Sequence, residues 1–239
     1  MSRADSHEHF LDAASVEPAV FALRPDYRAL LLVVDGLQAA PSNPASEELL
    51  DLAEAHARTL LGECAVEELP HVAAWREAYR AFGAKPQRTR NSLEALTRRA
   101  GEKLPRVNAL TDIYNAISLL HQVPIGGEDP DLYQGPARLV RATGDEHFEA
   151  FANHAPVTEH PSPGEVIWRD DLGVTCRRWN WRQGPRTGLS DQTETALFIF
   201  DALDPMTNEA LHAAAADLTT ALTLASPGVT VSQRLMSAQ

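Results

Sequence analysis

The sequence predicts an α+β fold in a single compact domain with a mixed or antiparallel sheet. Helical patterns come mostly first and short strand patterns mostly later, with one more helix near the end. That segregated order departs from the regular alternation that makes a parallel α/β fold. No repeat, low-complexity tract or long linker divides the chain. Its 239 residues, 44% hydrophobic and 23% charged, suffice for one well-filled core. Residues 1–20 are expected to be a flexible tail, and 21–239 the domain.

The elements follow in order. Tyr27 to Val34 is a short aliphatic run bounded by polar residues and reads as a buried strand. Asn43-Pro44 supplies an N-cap and a first-turn proline. The helix they open carries Leu49, Leu50, Ala53, Ala57, Leu60 and Leu61 and is expected to stop at Gly62. Pro70 to Phe82 places Val72, Trp75, Tyr79 and Phe82 on one helical face, with Gly83 as terminator. Asn91-Ser92-Leu93-Glu94 has the form of a capping box and opens a short helix to Gly101. From Asn108 to Gln122, Leu110, Ile113, Ile117 and Leu120 recur at helical spacing. Then Arg138–Ala142, Glu165–Trp168, Val174–Trp181 and Ala196–Asp201 read as strands between Pro and Gly punctuation. A last helix is expected from Asp204-Pro205, with Leu211, Ala215, Leu218 and Leu222 as its apolar stripe.

Composition narrows the function. The longest apolar run, Ala29 to Val34, is far short of the roughly 20 residues that span a bilayer. The polar N-terminus lacks the apolar stretch of a secretory signal, so a cytoplasmic protein is expected. Cys64 and Cys176 form no C-x-x-C pair, and the scattered histidines give no i, i+4 ligand pair. No metal and no cofactor are expected. Phosphate-loop, dinucleotide, zinc-protease and serine-hydrolase motifs are missing.

A net charge of -12 argues against indiscriminate nucleic-acid binding. Two basic segments stand out from the acidic remainder, residues 76–106 at +6 and 168–187 at +3. Each reads either as a local phosphate contact or as a solvated charged face. Three polar stretches lie there. Lys85 to Ser92 is a basic loop running into a helix N-terminus, where Arg88 and Arg90 flank unpaired backbone N–H groups. Asn108, Thr111 or Asp112, and Asn115 share one helix face, which lines a pocket or merely caps the helix. Read as a strand, Gly173 to Gln183 turns Cys176, Arg178, Asn180 and Arg182 one way, a polar row costly to bury without partners.

These stretches carry a resemblance. Trp75-Arg76, Phe82-Gly83, Arg90-Asn91-Ser92, Glu94-Ala95-Leu96, Leu104-Pro105, Val107-Asn108, Asp112 and Tyr114-Asn115 follow one another in the order of a known domain. So do Pro124 to Asp129, Gly144-Asp145-Glu146, Pro163 to Val166, Cys176 to Gln183, and Thr193-Glu194. Over about residues 65–225 the chain resembles the B3/B4-type editing and tRNA-binding domain of the phenylalanyl-tRNA synthetase beta subunit, in its free-standing form. The resemblance implies a β-sandwich core flanked by helices. It also implies a tRNA-binding hydrolase that cleaves the ester of a mischarged aminoacyl-tRNA with a positioned water and no metal. Asn108, Asp112, Arg178 and Asn180 are then the candidate catalytic residues. Asn91, Asn115, Gly127, Thr193 and Glu194 would bind the substrate, and Arg88, Arg90, Arg98 and Arg99 the tRNA. Where the synthetase domain often reads Pro-Leu-His-Ala-Phe-Asp, this chain has Pro124-Ile125-Gly126-Gly127-Glu128-Asp129, without the histidine. The alternative is a non-catalytic module that binds a free amino acid or a small carboxylate.

Overall fold

The computed structural model describes residues 3–152 and 155–238. In chain order its elements begin with α1 (Arg3–Ala13), β1 (Ser15–Val16), α2 (Pro18–Leu23) and β2 (Arg28–Asp35). Four helices follow, α3 (Pro44–Glu63), α4 (Pro70–Ala81), α5 (Ser92–Ala100) and α6 (Ala109–His121). Then come β3 (Ile125–Glu128), β4 (Arg138–Arg141), β5 (Phe148–Ala152), β6 (Ala155–Glu159), β7 (Val166–Arg169), β8 (Val174–Arg177), β9 (Arg182–Gln183) and β10 (Thr195–Ala202). The chain closes with α7 (Asn208–Ala225) and β11 (Thr230–Ser237).

The fold is α+β, built on two facing sheets. One is antiparallel in the order β11-β2-β10-β3; the other runs β1-β4-β7-β8-β9, with β1 parallel to β4 and the remaining pairs antiparallel. β5 and β6 form a separate hairpin. Strand alternation explains the unbroken aliphatic run of β2. Its Ala29, Leu31 and Val33 pack in the core between the sheets, while Leu30, Leu32 and Val34 pack outward among residues of α6 and α7. The four-stranded sheet is thus buried on both faces, so its strands read as continuous rather than alternating apolar runs. The inter-sheet core holds Tyr27, Trp75, Tyr79, Trp168 and Trp179, each at most 1% exposed.

Several expectations need correction. Residues 3–20, expected to belong to the tail, supply α1, β1 and the start of α2, and Leu11, Ala14 and Val20 are buried in the inter-sheet core. Arg234 of β11 fixes that segment by donating to the carbonyls of Leu11, Asp12 and Ala14. Gly62 does not end α3, which continues to Glu63. The last helix begins at Asn208 under a Thr207 cap, whose side chain accepts from the Ala210 N–H, and Asp204-Pro205 lies in the preceding loop. At Asn91 only half of the capping box forms. The Asn91 side chain accepts from the Glu94 N–H, but the Glu94 carboxylate turns to Arg76, Arg90 and Arg98.

The correction with the largest consequence concerns Val174–Trp181. The strand stops at Arg177, and Arg178 and Trp179 take left-handed φ values of 49° and 68° before β9 resumes at Arg182. A left-handed conformation costs a non-glycine residue about 1–2 kcal/mol. The turn breaks the expected alternation and sends Trp179 into the core, leaving Arg178 partly exposed.

Candidate functional site

β3 and β10 run side by side, with Gly126 opposite Ile199 and Glu128 opposite Leu197. Alternation turns Gly126, Glu128, Ile199 and Asp201 toward the second sheet. From that sheet come Trp168 of β7, Cys176 of β8, and Arg182 and Gln183 of β9. Together with Ser92 at the start of α5 and the turn residues Trp179, Asn180 and Trp181, they line a cleft of about 80 Å³ between the sheets. That is room for several water molecules or a small group.

Two carboxylates line this space. Asp201, 2% exposed, accepts from the Tyr27 hydroxyl at 2.6 Å and from Asn180 Nδ2 at 3.3 Å. Asn180 is itself fixed by the Tyr79 hydroxyl at 2.9 Å. Glu128, fully buried, accepts from the Tyr133 hydroxyl, from Thr187 Oγ1 at 2.9 Å and from Gln183 Nε2 at 3.3 Å. All of these donors are neutral. Burial therefore outweighs hydrogen bonding, pushing the Asp201 carboxyl up to about 7 and the Glu128 carboxyl upward too. Burial also raises the Cys176 thiol well above its ordinary range, so it stays protonated and is a poor nucleophile.

The Asp201 shift has a stability consequence. An unfolded Asp ionises near 3.8, whereas the folded one holds its proton to about 7, so the folded state binds more protons in between. Stability on this account is greatest at the acid end of that window and falls as pH rises through it, by a few kcal/mol. Asp201→Asn is expected to flatten this slope and to raise the urea midpoint above pH 7. An unchanged slope would show that Asp201 is not the group responsible.

The cleft also gathers unpartnered donors. Among the described residues, seven buried side-chain polar atoms make no hydrogen bond, and four belong to residues lining this one cleft: Ser92 Oγ, Trp168 Nε1, Trp179 Nε1 and Arg182 Nε. Native interiors leave few polar atoms unpaired, and an unpaired buried donor costs about 1–3 kcal/mol. Four at one cavity mark a place where an acceptor-bearing ligand or bridging water belongs.

At the mouth, the Trp181 ring is flanked by Arg178 at 4.4 Å and Arg182 at 4.7 Å. Arg178 also donates to Thr89, and Ser92 N–H donates to the Asn180 carbonyl at 2.9 Å. These contacts tie the β8–β9 turn to the basic loop before α5. A second hollow, lined by Lys85, Arg88, Thr89, Ser162, Glu165 and Arg178 among others, opens on that side.

Of the residues singled out from sequence, Asn180 lines the cleft and Arg178 lines the neighbouring hollow. Asn91 caps α5 directly beside Ser92. Asn108 caps α6 through the Thr111 N–H, and buried Asp112 accepts from Ser42 and from the Val107 N–H, so both serve the α6 terminus outside the cleft. Asn115, half-buried on the same helix, does not line the cleft either. Gly127 points away from it, where a Cβ would meet Leu189 Cδ1 at 2.7 Å. Thr193 braces its loop through Asp129 at 2.9 Å, and Glu194 is exposed. Arg88, Arg90, Arg98 and Arg99 are all exposed, but Arg98 pairs with Glu67 and Glu94, and Arg90 approaches Glu94 at 3.6 Å. Arg182 belongs to the polar row and Ser92 to the basic loop that the sequence singles out, and Trp168 carries no signal of its own; the acids Asp201 and Glu128 are not among the candidates that the sequence nominates. A lone acid within or ending an apolar strand, as in Phe198-Ile199-Phe200-Asp201, is the signal that points to them.

Comparison with known proteins adds a family. The model described as the B3/4 domain matches residues 74–222, a span that takes in the whole cleft lining from Ser92 to Asp201. Among solved structures, the chain is similar to an N-terminal fragment of the phenylalanyl-tRNA synthetase beta-subunit from Pyrococcus horikoshii. Identity is 13% and the TM-score 0.45, over 92% of this chain and 50% of that fragment, so the chain spans half the fragment's length. No curated protein matches the chain.

Proposed function

The chain belongs to the B3/4 domain family, and on that premise we propose that the inter-sheet cleft receives the aminoacyl end of a charged tRNA and hydrolyses its ester. The observation that carries this is the convergence of four unpartnered donors and two buried carboxylates on one cleft joined to a basic loop. An aminoacyl ester offers a carbonyl oxygen to such donors. Its ribose and phosphates would extend past Trp181 toward Lys85 and Arg88, which make no ion pair among the described residues. Water adds to the ester carbon and Ser92 and Arg182 donate to the developing oxyanion. The C–O bond to the ribose then breaks, and the proton lost by water ends on the departing ribose oxygen. No covalent intermediate is needed, in keeping with a Cys176 thiol held protonated.

The test is deacylation of a panel of correctly and wrongly charged tRNAs by the purified chain. Fast release of one aminoacyl group, slowed about 10²-fold or more in Ser92→Ala or Arg182→Ala, is the expected result. No release from any member would sink the hydrolase. For tRNA binding, replacing Arg88 and Arg90 by Ala is expected to reduce the salt slope by about 1 for each phosphate that is no longer neutralised. A slope identical to that of the parent would remove both residues from the interface.

One observation favours a second reading. Many arginines of the two basic segments are already neutralised: Arg76 and Arg98 by Glu94, Arg106 by Glu54, Arg177 by Glu165 and Arg186 by Asp170. A module that binds a free amino acid or small carboxylate needs no strong basic surface. It predicts weak tRNA affinity beside clear binding of the free ligand.

A further inference from the structure

We infer that the cleft recognises its ligand through a free α-ammonium group and rejects the same acyl group once that amine is blocked. This rests on the reading of the cleft as an aminoacyl site and names the class of acyl group it takes: aminoacyl, as opposed to N-formylated or peptidyl.

Charge and hydrogen-bond complementarity point this way. Asp201 and Glu128 are 2% and 0% exposed and line the same cleft. Among the described residues neither has a cationic partner; the side-chain donors that reach them are hydroxyls, amides and, beside Asp201, the Trp168 indole, all of them neutral. Other buried carboxylates among the described residues are met by an arginine or a backbone N–H: Glu94 by Arg76, Glu165 by Arg177, Asp170 by Arg186, Asp112 by the Val107 N–H and Asp129 by the Asp131 N–H. The cleft pair departs from that pattern, and a buried charge that lacks a partner either neutralises or waits for one. Independently, the indole N–H groups of Trp168 and Trp179, both in residues at most 1% exposed, lie toward Asp201 and the Tyr27 hydroxyl without completing a well-aligned hydrogen bond, and both belong to the same lining. One space thus offers acceptors for a cation next to donors for an oxygen. An α-amino acyl group carries an ammonium and a carbonyl oxygen on adjacent carbons and answers both. Acylating the nitrogen removes the charge and leaves the carboxylates as they were.

Coupling to pH follows. The titratable and charged groups facing the pair are Tyr27 just before β2, Tyr79 from α4, Tyr133 after β3, Cys176 from β8 and Arg182 from β9. Glu165 and Asp170 interact with them from farther along the chain, each already paired with arginine. Burial holds the tyrosines and the thiol neutral, and Arg182 is occupied by Glu159. An arriving ammonium therefore displaces a carboxyl proton. Affinity rises with pH up to about 7, then falls once the ligand amine, with a pKa of about 8, loses its own proton.

The probes are non-hydrolysable 3′-aminoacylamido-3′-deoxyadenosines covering the standard amino acids, their N-acetyl counterparts, and the free amino acids, titrated calorimetrically into the full chain. Expected is binding of at least one free-amine probe with proton release below about pH 7. Its N-acetyl form should bind about thirtyfold more weakly or worse, the cost of stranding one side of a buried charged pair. Asp201→Asn and Glu128→Gln, which keep shape, should erase most of that discrimination. Equal binding of the N-acetyl form to the parent chain overturns the inference while leaving the aminoacyl site standing. Failure of every probe overturns both. A free amino acid that binds as tightly as its adenosine conjugate supports the inference and moves the function to the binding module.

Discussion

Trp179→Ala is expected to destabilise the fold by about 3–5 kcal/mol, the usual cost of truncating a fully buried tryptophan. Its side chain is 0% exposed and packs against Tyr27 at 4.9 Å, Trp75 at 5.3 Å and Phe82 at 6.3 Å between ring centroids. It is where α4, β2 and the β8–β9 turn meet, so removing it leaves a void that three separate elements would have to close. Its backbone adds a second effect of opposite sign. At φ 68° an alanine keeps the left-handed strain, whereas a glycine relieves it by about 1 kcal/mol. Trp179→Gly should therefore be less destabilising than Trp179→Ala, the reverse of their order at most strand positions. Urea titrations of both variants check this. A glycine variant weaker than the alanine one would mean that the turn is not strained in solution.

Arg177→Ala is expected to cost a similar amount for a different reason. The guanidinium, in a residue 6% exposed, grips Glu165 through Nε and Nη2, both at 2.9 Å, and Glu159 through Nη1 at 2.6 Å. Removing it leaves buried Glu165 with the longer, 3.5 Å contact to Arg178, and breaking such a pair costs about 3–5 kcal/mol. The penalty belongs to the orphaned charge rather than to the missing ion pair. Arg177→Met combined with Glu165→Leu should therefore recover much of it. Unfolding curves for the single and double variants decide the matter, since simple loss of packing would make the double variant the worse of the two.

How far the sequence foretells this molecule depends on which forces set each element. Pro44, Pro70 and the apolar spacing of α4 and α6 are local signals, and those helices lie where the signals put them. β2 and β10 announce themselves because sheets covered on both faces need aliphatic residues at every position. β11 does not. Thr230 to Ser237 is an edge strand with only Met236 buried, and it pairs with β2 through its backbone, which leaves little trace in composition. The turn at Arg178-Trp179 is equally silent, since neither residue favours φ > 0 and tertiary packing of the indole overrides local preference. That one turn relocates the site: an unbroken strand would put Arg178, Asn180 and Arg182 in one row. The acids of the cleft are hidden for another reason. Asp201 looks like a strand ending, and only the register with Ala29 across the sheet shows it to be interior.

The pairing order of the four-stranded sheet bears on how the chain matures during synthesis. β2, made within the first 35 residues, lies between β10 and β11, which end at residues 202 and 237. Its six consecutive buried residues therefore leave the ribosome long before either neighbour exists. Until then Ala29 to Val34 is an aliphatic segment with unpaired backbone on both sides, the kind of stretch that invites association with other nascent chains. The contacts on both flanks of that strand are far apart in sequence, so their closure is entropically late. Growing polypeptides of this protein should be substrates for chaperones that capture apolar segments near the exit tunnel, with release only after β11 has docked.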